Sequence, residues 1–264
     1  MTKKRSIYKT NKQKEIEIKK RKKRKIVLII IIILLLILLG CAYLFTSEEF
    51  NIRNITITGN EYLTQEEIYN LSNIKLNDNI FLTFSLVAKV RLKQNPYIED
   101  AKITKIYPNQ IKIEIKERTK EFQILTDLGT YIYIDQQGNI LDSSTEKLNY
   151  TTITGFEITE ERSKEVTRLE ENDLEKMENI LHILDEAQKI EIKDKITQIS
   201  TKEGYILYLE AQNIIINLGN VTSTTIHEKM LYVQAILEKE EGKTGTVFVN
   251  GNLNEGFKPY FSAN

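Results

Sequence analysis

Hydrophobic and polar positions divide the chain into three regimes. Ile26 to Phe45 is a run of twenty residues without one charged or amide side chain. At about 1.5 Å per residue this matches a helix crossing the roughly 30 Å hydrocarbon layer of a bilayer. Backbone groups in hydrocarbon must satisfy one another, which predicts a helix even for an Ile-rich stretch. From Phe50 to about Arg118 the pattern changes to strand, helix, helix, strand, strand. Ile55 and Ile57 alternate with Thr56 and Thr58, and Gly59-Asn60 turns the chain. Thr64 with Glu67 three residues later reads as a capping box, with Leu63 and Ile68 at staple positions. A second helix is predicted near 83–94, burying Phe84, Val87 and Val90 and ended by Asn95-Pro96. Ala101 and Ile103 lead through the turn Tyr107-Pro108-Asn109-Gln110 to Ile111, Ile113 and Ile115, which alternate with Lys112, Glu114 and Lys116.

The third regime mixes short strands with two long helices. Phe122 to Leu125, Tyr131 to Ile134 and Asn139 to Leu141 read as strands, followed by a polar stretch through Asn149. Leu174, Met177, Leu181 and Leu184 recur at helical spacing between Glu171 and Lys189, with Ile180 and Ala187 beside them. Thr197 to Ser200, Tyr205 to Leu209 and Ile214 to Leu218 supply further strands. A last helix is expected near Thr225, capped with Glu228 and presenting Ile226, Met230, Val233 and Leu237 on one face. Thr246 to Val249 reads as the final strand, and the Gly, Asn and Pro content after it predicts an irregular tail.

Charge sharpens this division. The 264 residues carry 37 basic and 37 acidic side chains, yet residues 1–25 hold thirteen of the basic ones and only Glu15 and Glu17. Lys19, Lys20, Arg21, Lys22, Lys23, Arg24 and Lys25 stand directly before the apolar run. Cationic flanks stay on the cytoplasmic side, so the expected topology is a cytoplasmic amino terminus, one span and an extracytoplasmic carboxyl terminus. No aromatic residue interrupts the seven cations, so the cluster reads as a topology signal rather than a nucleic-acid site. One cysteine excludes an internal disulfide. Leu38-Leu39-Gly40-Cys41 resembles a lipobox, and the alternative it opens is a surface lipoprotein acylated at Cys41, with an unidentified binding or enzymatic role. Leu39 is bulky for such a site, and the apolar run continues past Cys41.

Four segments carry a resemblance: Phe50-Asn-Ile-Arg-Asn-Ile-Thr-Ile-Thr-Gly-Asn60, Asn95-Pro-Tyr-Ile98, Tyr107-Pro-Asn109 and Ile113-Glu-Ile-Lys-Glu-Arg118. In that order, directly after a single span, they resemble the POTRA domain of the FtsQ/DivIB family. The resemblance implies an α+β architecture: a transmembrane helix, a POTRA domain (β-α-α-β-β) and a mixed α/β "beta" domain. The expected boundaries are a basic tail at 1–25, the span at 26–45, the POTRA domain at 50–118, the beta domain at 119–250 and a tail at 251–264. It further implies a bitopic protein at the division septum that joins FtsL and DivIC/FtsB-type partners and links them to septal peptidoglycan synthesis.

Catalytic chemistry finds little to work with. His182 and His227 lack metal-ligand spacing, and the chain has no P-loop, G-x-G-x-x-G, H-E-x-x-H or G-x-S-x-G motif. The reading is a binding scaffold that needs no cofactor and acts on no small molecule. Within it, Lys102, Lys105 and Lys112 are candidates for a recruiting surface, or simply keep a solvated sheet face soluble. Partner contact is expected at the carboxyl end, where a terminal edge strand suits strand addition. Thr246, Val247, Phe248 and Val249 form that strand, with Tyr260 and Phe261 beyond Pro259 as further candidates. Val247 and Val249 point to one face and Thr246 and Phe248 to the other, so Phe248 either completes the core or lies against a partner.

Overall fold

The computed structural model describes residues 2–264, with the side chains of 2–15, 17, 18 and 254 outside the description. Helix α1, Thr2–Thr46, runs without a break through the basic cluster and the apolar run. Within it Lys19–Thr46 is long and apolar enough to cross a membrane, and none of its apolar window is buried against protein. Hydrocarbon is the solvent such a surface fits. The chain divides into two compact units: one comprises everything up to Leu92 together with Ala101–Ile115, the other Lys93–Asp100 together with Lys116–Asn264.

In the first unit, strand β1 (Asn54–Thr58) is followed by helices α2 (Gln65–Ser72) and α3 (Ser85–Leu92), then by β2 (Ile98–Ile106) and β3 (Gln110–Glu117). This is the order the periodicity predicts. The sheet runs β1-β3-β2, with β1 parallel to β3 and Ile55 and Ile57 opposite Ile111 and Ile113. Gly59 leaves β1 at φ +83°, and an added Cβ would run into the Ile115 carbonyl oxygen. Only glycine fits that approach. The capping box forms as expected: the Thr64 hydroxyl accepts from Glu67 N, and the Glu67 carboxylate accepts from Thr64 N at 2.8 Å. Ile68 is fully buried beneath it.

Helix α3 departs from expectation. It buries Ala88 and Leu92, whereas Phe84, Val87 and Val90 are exposed. Two apolar stripes share this helix, which packs against α2, and the stripe holding the small Ala88 is the one turned inward.

The second unit holds a nine-stranded mixed sheet. Its first strands are β4 (Phe122–Leu125), β5 (Tyr131–Ile134), β6 (Ile140–Ser144) and β7 (Thr151–Thr154). The short helix α4 (Glu160–Ser163) and the long helix α5 (Glu171–Lys189) come next, then β8 (Gln198–Ser200), β9 (Tyr205–Leu209) and β10 (Ile214–Gly219). Helix α6 (Ser223–Lys239), β11 (Gly245–Phe248) and β12 (Tyr260–Ala263) complete the unit. The strand order is β12-β11-β10-β9-β8-β7-β4-β5-β6. One hydrophobic cluster joins the sheet to both long helices, drawing Met177, Ile180 and Ile183 from α5 and Ile226, Met230 and Val233 from α6. Strand β7 lies in a stretch whose threonines hide its alternation, since Thr152 is buried on the opposite face from Ile153. Helix α6 begins three residues before the expected start, because Thr222 rather than Thr225 is the cap and Thr225 Oγ1 accepts from Thr222 N at 2.9 Å.

Candidate partner interface at one end of the large sheet

The carboxyl-terminal segment corrects the expected picture in two ways. Residues 251–264 are not an irregular tail throughout: they turn through Leu253–Glu255 and return as β12, antiparallel to β11. The last strand of the sheet is therefore β12, and Thr246, Val247 and Phe248 lie one strand in, between β10 and β12. Gly245 makes the return possible, because at φ +155° it accommodates the Ser262 carbonyl where a Cβ would collide.

Strand alternation sorts the six predicted residues. Val247 and Val249 are fully buried in the core, and Phe261 packs partly against the same cluster. Thr246, Phe248 and Tyr260 take the opposite face. Phe248 is opposite Tyr260 in register, and their rings stack at 4.8 Å with an interplanar angle of 18°. Tyr260 remains 50% exposed. The registers extend this face into β10 and β9, where Ile215 lies opposite Thr246 and Tyr208 opposite Ile215. A half-buried aromatic and aliphatic surface thus borders a terminal strand. Sequence reasoning missed β12 itself, whose signal was the pair Tyr260-Phe261 after Pro259.

The lysines proposed for recruitment do not share one surface. Lys102 and Lys112 flank Glu114, at 3.9 Å and 2.9 Å, and the Lys112 hydrogen bond holds the Glu114 carboxyl below its ordinary value. Lys105 continues the alternation of Ala101 and Ile103 instead, and burial pushes its ammonium pKa down. Lys19 to Lys25 are exposed along α1, and Cys41 is exposed inside the same helix, five residues before its end.

The histidines sit on helices. His182 is exposed on α5, and His227 Nδ1 lies 2.8 Å from Glu186 Oε2, joining α6 to α5. Lys189, and after it His227, hold the Glu186 carboxyl below the usual carboxylate range. Among the described residues no three His, Cys, Asp or Glu side chains gather as a metal site. A buried cation occurs at Lys229 of α6, whose Nζ donates to the carbonyls of Leu218 and Asn220. Burial lowers its pKa.

A membrane-length helix leading into a β-α-α-β-β unit and then a larger α+β unit defines a membrane-anchored POTRA protein. Residues 50–118 match the FtsQ-type POTRA domain family. The chain is 34% identical over 214 residues to the cell division protein DivIB of Clostridium botulinum (strain Loch Maree / Type A3), covering 79% of this chain and 81% of that one. The DivIB of strain Hall of the same species aligns with the same identity and coverage. A cell division protein FtsQ from Geobacter sp. (strain M21) is 28% identical over 136 residues, 49% of this chain and 47% of its own. The chain belongs to the FtsQ/DivIB family and has a role in cell division.

Proposed function

We propose that this protein is a non-enzymatic scaffold of the division complex, held by one span with its amino terminus in the cytoplasm and concentrated at the septum. Lys19 to Lys25 support that orientation, since such clusters resist translocation. Residues 50–118 act as the POTRA module, and the unit beyond 118, with 251–264 as part of it, receives the partners. Those partners are FtsL and DivIC/FtsB-type proteins, through which the chain is linked to septal peptidoglycan synthesis. The observation that supports the assignment most is β12: a terminal strand whose Tyr260, stacked on Phe248, stays half exposed. An edge strand offers unpaired N–H and C=O groups to an added segment, and adjacent aromatics supply the apolar anchor. Confinement to one membrane raises the effective concentration of partners that share it.

Tyr260→Ser and Phe248→Ser test the reading in the full-length chain reconstituted with the partner pair. Loss of a central aromatic anchor is worth about 2 kcal/mol or more, roughly thirty-fold in Kd. Thermal unfolding should move little for Tyr260→Ser, whose ring is half exposed, and by about 1–2 kcal/mol for the half-buried Phe248→Ser, so affinities are compared where both variants are folded. Unchanged affinity in both variants removes this end of the sheet from the mechanism.

A further inference from the structure

Helix α3 inverts the usual surface arrangement. Ala88 and Leu92 are buried on the inner side of the helix, which packs against α2, and the opposite side carries Leu86, Val87 and Val90 with Phe84 at its start. Leu86 is 79% exposed, Phe84 71% and Val90 63%. On a helical projection Lys89 and Arg91 fall on either side of this stripe, so cations border it rather than occupy it. Leu82, exposed just ahead of the helix, extends the apolar surface. A water-facing helix normally reverses this order, with charge at the centre of the outer face.

The same segment is fastened to the end of the membrane span. Asn79 Nδ2 donates to the last-turn carbonyls of α1, Leu44 O at 2.9 Å and Phe45 O at 3.3 Å. Phe81 meets Phe45 edge-on at 6.5 Å, Phe50 at 5.1 Å and stacks on Tyr107 at 5.3 Å. Tyr43 meets Phe50 at 6.1 Å. Aromatic residues gather in this way at the boundary between hydrocarbon and water. Leu82 N bonds back to Asn79 O, and the Thr83 hydroxyl to the same carbonyl, so the chain entering α3 stays beside the end of α1. The headgroup layer is about 5–7 Å deep on each side, and the approach to α3 is tied to the last turn of the membrane-length helix.

We propose that α3 is an interfacial helix: Leu82, Phe84, Leu86, Val87 and Val90 seat in the headgroup and upper acyl region of the outer leaflet, with Lys89 and Arg91 reaching anionic headgroups on both flanks. Apolar burial and cationic flanks are the two terms that hold amphipathic helices at such surfaces. With the Asn79 cap on α1, this second attachment fixes the tilt of the first unit on the membrane, which a single helix end cannot do.

The test uses the full-length chain with Cys41→Ala and single cysteines at Leu86→Cys, Val90→Cys or, as a control on the exposed sheet face, Lys102→Cys. Each carries an environment-sensitive NBD label in vesicles of phosphatidylglycerol and phosphatidylethanolamine, with or without a shallow acyl-chain spin label. Emission at 86 and 90 should be blue-shifted and quenched by the spin label, and emission at 102 should be neither. Equal emission at 86 and 90 in both kinds of vesicle overturns the proposal. So does shielding that arises only when a partner protein is co-reconstituted, which assigns the stripe to a protein interface. Because a label perturbs its site, the unsubstituted chain in nanodiscs provides a second reading: headgroup spin labels should broaden the Leu86 and Val90 methyl signals, and sharp signals count against the proposal.

Discussion

The two ends of the nine-stranded sheet are finished differently. At the β6 end the start of the edge is covered: Ile140 N bonds to Thr167 O, Asn139 bridges to Arg168, and Leu169 N bonds to Gly138 O. The face is covered too, because the Gln123 amide, fully buried, donates to Leu148 O, Tyr150 O and Thr152 Oγ1 and accepts from Leu148 N. That clamp draws residues 145–150 over Tyr133, which is 1% exposed. At the β12 end the last strand has a half-exposed tyrosine, stacked on a phenylalanine of β11, on its open face. Soluble sheets protect their edges because unpaired strands recruit other chains. One end of this sheet is partly closed and the other is left aromatic and open, and under the proposed function the second is the end that partners pair with.

The largest effect should come from undoing the closed end. Gln123→Leu leaves the Leu148 amide and two carbonyls without their partner, costing about 3 kcal/mol of stability. A urea midpoint shift in the reconstituted chain measures it, and partner affinity below that midpoint should be unchanged. Phe261→Ala sharpens the contrast within one strand: it removes a side chain packed on the core and should cost about 1–2 kcal/mol, less than a fully buried Phe, and it should leave partner affinity unchanged, unlike Tyr260→Ser. If Gln123→Leu weakens partner binding as much as Tyr260→Ser does, the two ends are not functionally distinct.

A smaller effect is read by pH, at Tyr133 of the closed end and at Lys229 of α6. Burial raises the Tyr133 pKa at the closed end, so the stabilisation of its neutral form is complete below the ordinary value of 10.0 and lost as pH rises through the higher folded value. Burial lowers the Lys229 pKa, so the unfolded chain binds more protons between that value and 10.5, and stability climbs with pH across the window. Tyr133→Phe should therefore make the alkaline stability profile rise more steeply, and Lys229→Met should flatten the rise. Midpoints measured across the alkaline range check both signs.

What the sequence disclosed follows from the range of the signals. Alternation and capping are local, so β1, α2, β3, α5 and the strands from β8 to β10 were legible, as was the single membrane-length helix. The stripe of α3 was not, because helical spacing identifies two apolar faces and only tertiary packing decides between Ala88 and Phe84. At the start of α6, Thr222 with Thr225 and Thr225 with Glu228 offer the same local motif, and the first one won. Strand β12 was missed because four residues after a Gly-Asn-Pro loop carry no period of their own. The contact of His227 with Glu186 spans 41 residues and left no trace in the pattern. Within the candidate site, the parity of Val247 against Phe248 was readable. The same parity separates Lys105 from Lys102 and was equally available.

The open-edge account is tested most directly by backbone amide hydrogen exchange on the full-length chain in nanodiscs, with and without the FtsL and DivIC/FtsB-type pair. Strand addition satisfies edge groups that water otherwise reaches. The account predicts that protection rises on adding the partners across Tyr260–Ala263 while Ile140–Ser144, at the covered end, stays as it was. Unchanged exchange at Tyr260–Ala263 in a complex that has demonstrably formed, or new protection at Ile140–Ser144 instead, contradicts it.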